Sequence, residues 1–157
     1  MLRFAFRVIR LITLPALAGA IVSPLGGLLA DRIGFRPVLV ASLVGGGVVI
    51  ALTPFAPRVE LLAVGALAFA GSNALVGAMV FALLATEVPP ERRSATLNLV
   101  YLPLYAAGFI GPFAGAVVVS GGLPAPFLAA AAILIAAAIA LALRRQAIGR
   151  ARSDGPV

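Results

Sequence analysis

Long apolar runs separated by short charged segments dominate the pattern along this chain. Four stretches carry no charged side chain, and they cover residues 11–30, 37–57, 61–86 and 94–143. The last stretch is interrupted at 120–126, where two consecutive glycines and two prolines favour a tight turn between helices. Crossing the hydrocarbon core of a bilayer takes about 20 residues of helix. The pattern therefore predicts five membrane-spanning helices.

Helix is the spanning element that these runs support. A transmembrane strand would alternate apolar and polar residues over about 10 positions, whereas these runs are apolar on all sides. Backbone polar groups in lipid must also be satisfied within their own segment. We therefore expect an all-α transmembrane bundle over residues 1–145 and a basic cytoplasmic tail over 146–157. The five spans are expected near residues 8–30, 37–56, 60–86, 94–120 and 125–145.

Composition supports a membrane protein and argues against several chemistries. Apolar residues make up 62% of the 157 positions and charged residues only 11%, whereas soluble domains carry about 25% charged residues. The chain has no Cys and no His, which removes thiol and imidazole chemistry and the usual zinc ligands. No nucleophile–base pair is visible either. We expect no enzyme activity, no cofactor and no metal site.

The charge distribution predicts the orientation in the membrane. All 12 basic residues are Arg, and the net charge is +7. A basic protein can bind nucleic acid, but these arginines lie in short gaps between apolar runs, so we expect no nucleic-acid partner. Because cytoplasmic loops are enriched in Lys and Arg, a multi-pass protein of the cytoplasmic (inner) membrane with a cytoplasmic C-terminus is expected. That orientation puts eight arginines inside: Arg32, Arg36, Arg92, Arg93, Arg144, Arg145, Arg150 and Arg152.

The N-terminus conflicts with this orientation. Arg3, Arg7 and Arg10 would lie outside. Residues 1–18 could alternatively be a signal peptide, because arginines precede an apolar stretch that ends in small residues. The apolar run continues to Ala30, however, and a full membrane span is favoured.

The charged segment between the first two runs contains the most informative residues. Gly27 would allow close approach of another helix, and Gly34 permits a positive φ. Pro37 suits the first turn of a helix, and the carboxylate of Asp31 can accept backbone N–H groups at a helix N-terminus. Together these residues predict a tight turn between two helices.

This turn resembles the signature loop of the major facilitator superfamily, which reads Gly-x-Leu-Ala-Asp-Arg-x-Gly followed by two basic residues. Phe35 stands where the family has the first of those basic residues. The resemblance implies that the loop is a conformational latch that holds the outward-facing state. The matching residues are Gly27, Leu29, Ala30, Asp31, Arg32, Gly34, Arg36 and Leu39.

In that family, basic residues of the loop reach an acidic residue at the end of helix 4 or helix 10. Glu87 occupies that position in this sequence. The resemblance therefore predicts that Arg36, or failing that Arg32, lies within about 4 Å of Glu87. It also places Asp31 near a helix N-terminus, with its full partner in another half of the carrier.

Two weaker motifs accompany the signature loop. The second cytoplasmic loop, at 87–94, resembles the Pro-x-x-x-Arg loop of the family through Pro89 and Arg93. The fourth apolar run resembles the family's antiporter motif, whose physical content is a thin, kinked helix that a neighbour can approach closely. Ordinary small-residue packing explains this pattern equally well, so drug–proton antiport is not inferred from it. The residues concerned are Gly108, Gly111, Pro112 and Gly115.

Polar side chains within the spans are few, and none of them is an acid or a base of the kind that marks a proton pathway. Four of them are candidates for a substrate cavity. Interhelical hydrogen bonding is the alternative role. The four candidates are Ser72, Asn73, Tyr101 and Tyr105.

The resemblance implies spans 8 to 12 of a twelve-helix carrier, with spans 2 to 6 as the alternative. An Arg that many members carry four residues before a helix 4 glycine is absent, since Leu67 stands four residues before Gly71. The basic tail is expected to be a natural C-terminus, and the first helix of the half is expected to be missing.

The expected function is secondary active transport of a small solute, of the efflux type. The expected partners are that solute, membrane lipid, and either a missing N-terminal half or a second copy. Two other functions remain open: a small membrane protein that binds or regulates a partner without transporting, and a half-size carrier that acts as a homodimer.

Overall fold

Helices account for the regular structure of the described part of the chain. The computed structural model describes the backbone of residues 2–153 and the side chains of residue 17 and residues 19–144. Within residues 2–153 there is no strand. The α-helices are α1 (Leu2–Ile33), α2 (Phe35–Leu52), α3 (Val59–Glu87), α4 (Arg93–Val118) and α5 (Ala125–Ser153). Short 3-10 segments lie at Thr53–Phe55, Pro90–Arg92 and Val119–Gly121.

The helices confirm the predicted all-α membrane fold. Among the described residues, four segments are long and apolar enough to cross a bilayer: Phe35–Phe55, Val59–Glu87, Pro90–Gly121 and Ala125–Arg144. The first span, expected at 8–30, includes residues whose side chains lie outside the described part, so it stays a prediction. Helix α5 continues to Ser153 and so enters the segment expected as a tail; residues 154–157 lie outside the described part.

The turn between α1 and α2 is as tight as the sequence predicts, because Gly34 alone separates the two helices. Gly34 has φ +94° and ψ 152°, a region of backbone space that is essentially restricted to glycine. Its N–H donates to the carbonyl oxygen of Ala30 over 2.7 Å. Pro37 is the third residue of α2, where its missing N–H costs no intrahelical bond.

Helix α2 lies at the centre of the bundle and packs against both α3 and α5. A Cβ atom on Gly46 would lie 3.3 Å from the Cβ of Ser72 on α3, and one on Gly47 would lie 3.0 Å from Ile135 on α5. In lipid, such small residues let helix backbones approach closely and gain van der Waals contact. The buried cluster around α2 comprises Ala30, Val38, Leu39, Leu43, Met79 and Ala138.

Gly26, and not Gly27, is the glycine at which α1 approaches α3. A Cβ on Gly26 would collide with the side chain of Leu75, whereas a Cβ on Gly27 would meet nothing within 4 Å. Within the described part of the chain no helix uses Gly27 for close approach, so that expectation stays a prediction for a partner. The two positions differ by about 100° around the helix axis, which turns Gly27 away from α3.

Helix α4 stands apart from this packed group. None of its residues is buried, and Pro103 and Pro112 lie inside it. A Cβ added at Gly108, Gly111 or Gly115 would meet nothing within 4 Å. No helix in the described part of the chain uses the small-residue face of α4, so close approach at these glycines remains a prediction for a partner.

Candidate functional site

The chain topology brings two opposite charges together at one end of the bundle. Arg36 is the second residue of α2 and Glu87 is the last residue of α3, and both ends lie at the same side because consecutive helices run in opposite directions. The Nη2 group of Arg36 donates to Oε1 of Glu87 over 2.6 Å. This contact confirms the predicted proximity of Arg36 and Glu87.

The Arg36–Glu87 pair is too exposed to be a major source of stability. The two side chains keep 47% and 52% of their surface accessible. Solvent-exposed ion pairs contribute about 0–1 kcal/mol, because solvent screens the charges and two long side chains lose freedom. An interaction of this size is easily exchanged for another partner.

Asp31 does not cap a helix as the sequence suggests. Helix α1 continues through Asp31 to Ile33, and the N-cap of α2 is Gly34, with no side-chain capping bond. The carboxylate therefore lies at a helix C-terminus, where the helix dipole disfavours a negative charge. Asp31 is exposed and makes no hydrogen bond or ion pair with the side chains that the structure describes.

Arg32 occupies the same last turn of α1 and is also exposed. A cation suits a helix C-terminus because of the helix dipole. Within the described residues the carboxylate of Glu87 binds Arg36 and not Arg32. Of the two arginines predicted as partners of Glu87, Arg36 on α2 makes the contact.

The second loop joins α3 to α4 through a local hydrogen bond. Pro89 precedes the 3-10 segment Pro90–Arg92, and Nε of Arg93 donates to the carbonyl oxygen of Val88 over 3.1 Å. Val88 follows the last turn of α3, where carbonyl groups lack an intrahelical partner. Arg93 therefore supports the geometry of the turn and lies outside the Arg36–Glu87 pair.

The four cavity candidates do not converge on one place in the described structure. The ring of Tyr101 lies 6.0 Å from Phe81 and 6.1 Å from Tyr105, measured between centroids. Ser72 precedes Phe81 by nine positions on α3, which corresponds to about 13 Å and the opposite helix face. Ser72 packs on Gly46, and Asn73 is exposed. Ser72 thus belongs to helix packing, apart from the tyrosines.

A cavity of about 850 Å³ adjoins the Arg36–Glu87 pair. It lies between the start of α2, the end of α3 and residues 141–144 of α5, and Arg144 contributes a second guanidinium to its lining. Sequence reasoning missed this role of Arg144. The sequence contains one indication of it: the last predicted span, at 125–145, ends in arginine at the same side of the bundle as the signature loop.

The fold and the site together define a multi-pass helical membrane protein with a charged turn and an ion pair at one end. The Major Facilitator Superfamily profile matches residues 5–155, and the chain belongs to this family. The family is one of membrane transporters.

Three curated proteins are similar to this chain in sequence. The chain is 35% identical over 123 residues to the "Tetracycline resistance protein, class C" of Escherichia coli, a match that covers 78% of this chain and 31% of the relative. The class E protein of Escherichia coli matches at 35% identity, covering 78% of this chain and 30% of that relative. The class G protein of Vibrio anguillarum matches at 34%, covering 77% of this chain and 30% of that relative. The chain thus spans about a third of the length of these relatives.

Proposed function

We propose that this chain contributes a helical bundle to a secondary active carrier that exports a small solute. The observation that carries the proposal is the 2.6 Å contact between Arg36 and Glu87, which joins α2 to α3 directly after the signature loop. Membership of the Major Facilitator Superfamily supports this interpretation. Arg36 lies in the loop that acts as a latch in that family, and the contact joins this loop to Glu87 at the end of α3.

The Arg36–Glu87 pair would act by having a different energy in two conformations. Carriers of this kind expose a midplane site alternately to each side by rocking one bundle against another. A contact influences that equilibrium only through the difference between its energies in the two states. Asp31, exposed in the same loop, would engage the facing bundle in one of those states.

We propose a solute of the tetracycline type, on the strength of the printed names of the relatives. The chain spans about a third of those proteins, and a midplane site lies between two bundles. The exposed face of α4, with open space at Gly108, Gly111 and Gly115, is the surface through which the second bundle would bind. That bundle is either the remainder of a carrier or a second copy of this chain.

The proposed location is the cytoplasmic membrane, with the C-terminus inside. Arg36, Arg92 and Arg144 then lie at the cytoplasmic surface, as the positive-inside rule favours. In this orientation the Arg36–Glu87 pair closes or opens access from the cytoplasm, which is the side where an exporter takes up its solute.

The test is tetracycline accumulation in a sensitive bacterial strain. Cells would express this chain alone, the unmatched remainder of the class C relative alone, or both, with membrane levels of each checked by immunoblot. Only the combination is expected to lower accumulation. No change with both proteins correctly inserted would contradict the tetracycline proposal, and lowered accumulation with this chain alone would favour the homodimer.

A further inference from the structure

The cavity beside the Arg36–Glu87 pair results from how three helices pack. Helices α3 and α5 both pack against α2, and in the described part of the chain neither packs extensively against the other. A groove is left along the first turns of α2, flanked by the last turn of α3 and by residues 141–144, at the end of the apolar segment of α5. Its volume of about 850 Å³ lies within the range of about 300–1,000 Å³ that small-ligand sites occupy.

The charged groups of this groove come from the ends of three apolar segments. Arg36 begins α2, Glu87 ends α3, and Arg144 ends the apolar segment of α5. Two guanidinium groups and one carboxylate leave the lining with one net positive charge. Arg36 gives one N–H to Glu87 and has further donors, since a guanidinium carries five in all. The groove can therefore bind an anion at its mouth.

Below the charged groups, the lining is apolar. Val40 on α2, Leu83 on α3 and Leu141 on α5 line the groove, and each lies three or four positions from a charged residue on its own helix. Three to four positions correspond to about 5–6 Å along a helix axis. A ligand with an anionic group beside the arginines and a hydrocarbon chain beside the apolar side chains would fit this arrangement.

We propose that the groove binds an anionic phospholipid, with its phosphate between Arg36 and Arg144 and an acyl chain along Val40, Leu83 and Leu141. The order of charge over hydrocarbon is that of a lipid at a membrane surface, and basic pockets between membrane helices bind lipid headgroups in this way. A free phosphate would use the two arginines but not the apolar walls. The lipid site does not depend on the proposed transport.

The experiment measures lipid binding to the purified full chain by native mass spectrometry. Phosphatidylglycerol and phosphatidylcholine are titrated separately, so that acyl chains are shared and only the headgroup charge differs. The variants are Arg144→Gln, Arg144→Glu and Arg144→Lys. Arg58→Gln is the matched control, because Arg58 is an exposed arginine at the other end of α3. Circular dichroism verifies that each variant keeps its helix content.

The wild-type chain is expected to bind phosphatidylglycerol more tightly than phosphatidylcholine. Arg144→Gln should weaken phosphatidylglycerol binding about fivefold. This is the affinity that one Lys or Arg contributes near an anionic membrane surface. Arg144→Glu should weaken it further, while Arg144→Lys and Arg58→Gln should bind nearly as the wild type does. Equal binding of both lipids, or an equal loss in Arg58→Gln, would overturn the proposal. Binding of inorganic phosphate as tight as that of phosphatidylglycerol would overturn the assignment to a lipid.

Discussion

Arg36 and Glu87 are 51 positions apart in the sequence, and the guanidinium of one donates to the carboxylate of the other over 2.6 Å. One residue starts α2 and the other ends α3, so the bond fixes the relative position of two helix ends. Both side chains are about half exposed, which leaves each able to exchange partners. This combination of defined geometry and modest energy is compatible with the latch role that we propose for the pair.

The free energy of coupling between Arg36 and Glu87 should be small. A double-mutant cycle with Arg36→Gln and Glu87→Gln, measured by unfolding of the purified chain in detergent, is expected to give about 0–1 kcal/mol. The reason is that both charges remain solvated in the folded state. A coupling free energy above about 3 kcal/mol would be typical of a buried pair and would contradict this description of the site.

Two adjacent glycines should respond differently to the same substitution. Gly26→Val forces a side chain into Leu75, whereas Gly27→Val places it in open space. Overpacking costs about 1–3 kcal/mol, and the change in helix propensity is common to both variants. The free energy of unfolding should therefore fall by about that amount more for Gly26→Val. Equal losses would show that α1 and α3 do not meet at Gly26.

Gly34→Ala should destabilise the turn between α1 and α2. A φ of +94° with ψ 152° costs about 1–3 kcal/mol for a residue with a Cβ. Gly77→Ala is the control, because a Cβ at Gly77 in α3 would meet nothing within 4 Å. Thermal unfolding in detergent should show a loss for Gly34→Ala and none for Gly77→Ala. A neutral Gly34→Ala would mean that the turn adopts another backbone conformation.

Labelling with a membrane-impermeant maleimide tests the orientation. The sequence has no Cys, so each introduced thiol is the sole target. Arg58→Cys and Glu91→Cys place exposed thiols at opposite ends of α3. In intact spheroplasts, Arg58→Cys is expected to react, and Glu91→Cys only after permeabilisation, because arginine-rich loops stay inside. The reverse result would invert the proposed topology.

The sequence is sufficient to predict the helical fold and the charged pair, and a different feature of the sequence predicts each of them. Charge-free runs near the length of a bilayer crossing identify the helices without any knowledge of packing. Topology places Arg36 and Glu87 at the same surface, because α2 and α3 are antiparallel, and the resemblance to the signature loop predicts their contact. Neither prediction requires side-chain detail.

Packing faces could not be predicted in the same way. Gly26 and Gly27 are equivalent in sequence, and only the rotation of α1 relative to Leu75 makes Gly26 the contact position. Asp31 was expected to cap a helix, but α1 extends to Ile33 and places that carboxylate in its last turn. Arg144 belongs to the groove only because α5 packs on α2. These features depend on three-dimensional placement that a pattern of apolar residues does not contain.

We propose that the Arg36–Glu87 pair influences the conformational equilibrium of an exporter, and energy-dependent tetracycline uptake by inverted membrane vesicles tests this role most directly. The vesicles would contain this chain together with the unmatched remainder of the class C relative. Arg36→Gln is expected to change the uptake rate by up to about fivefold, the equivalent of 1 kcal/mol. The charge swap Arg36→Glu with Glu87→Arg should restore the rate, and Arg58→Gln should leave it unchanged. An Arg36→Gln rate equal to that of the wild type, at equal protein levels and with measurable uptake, would contradict the claim.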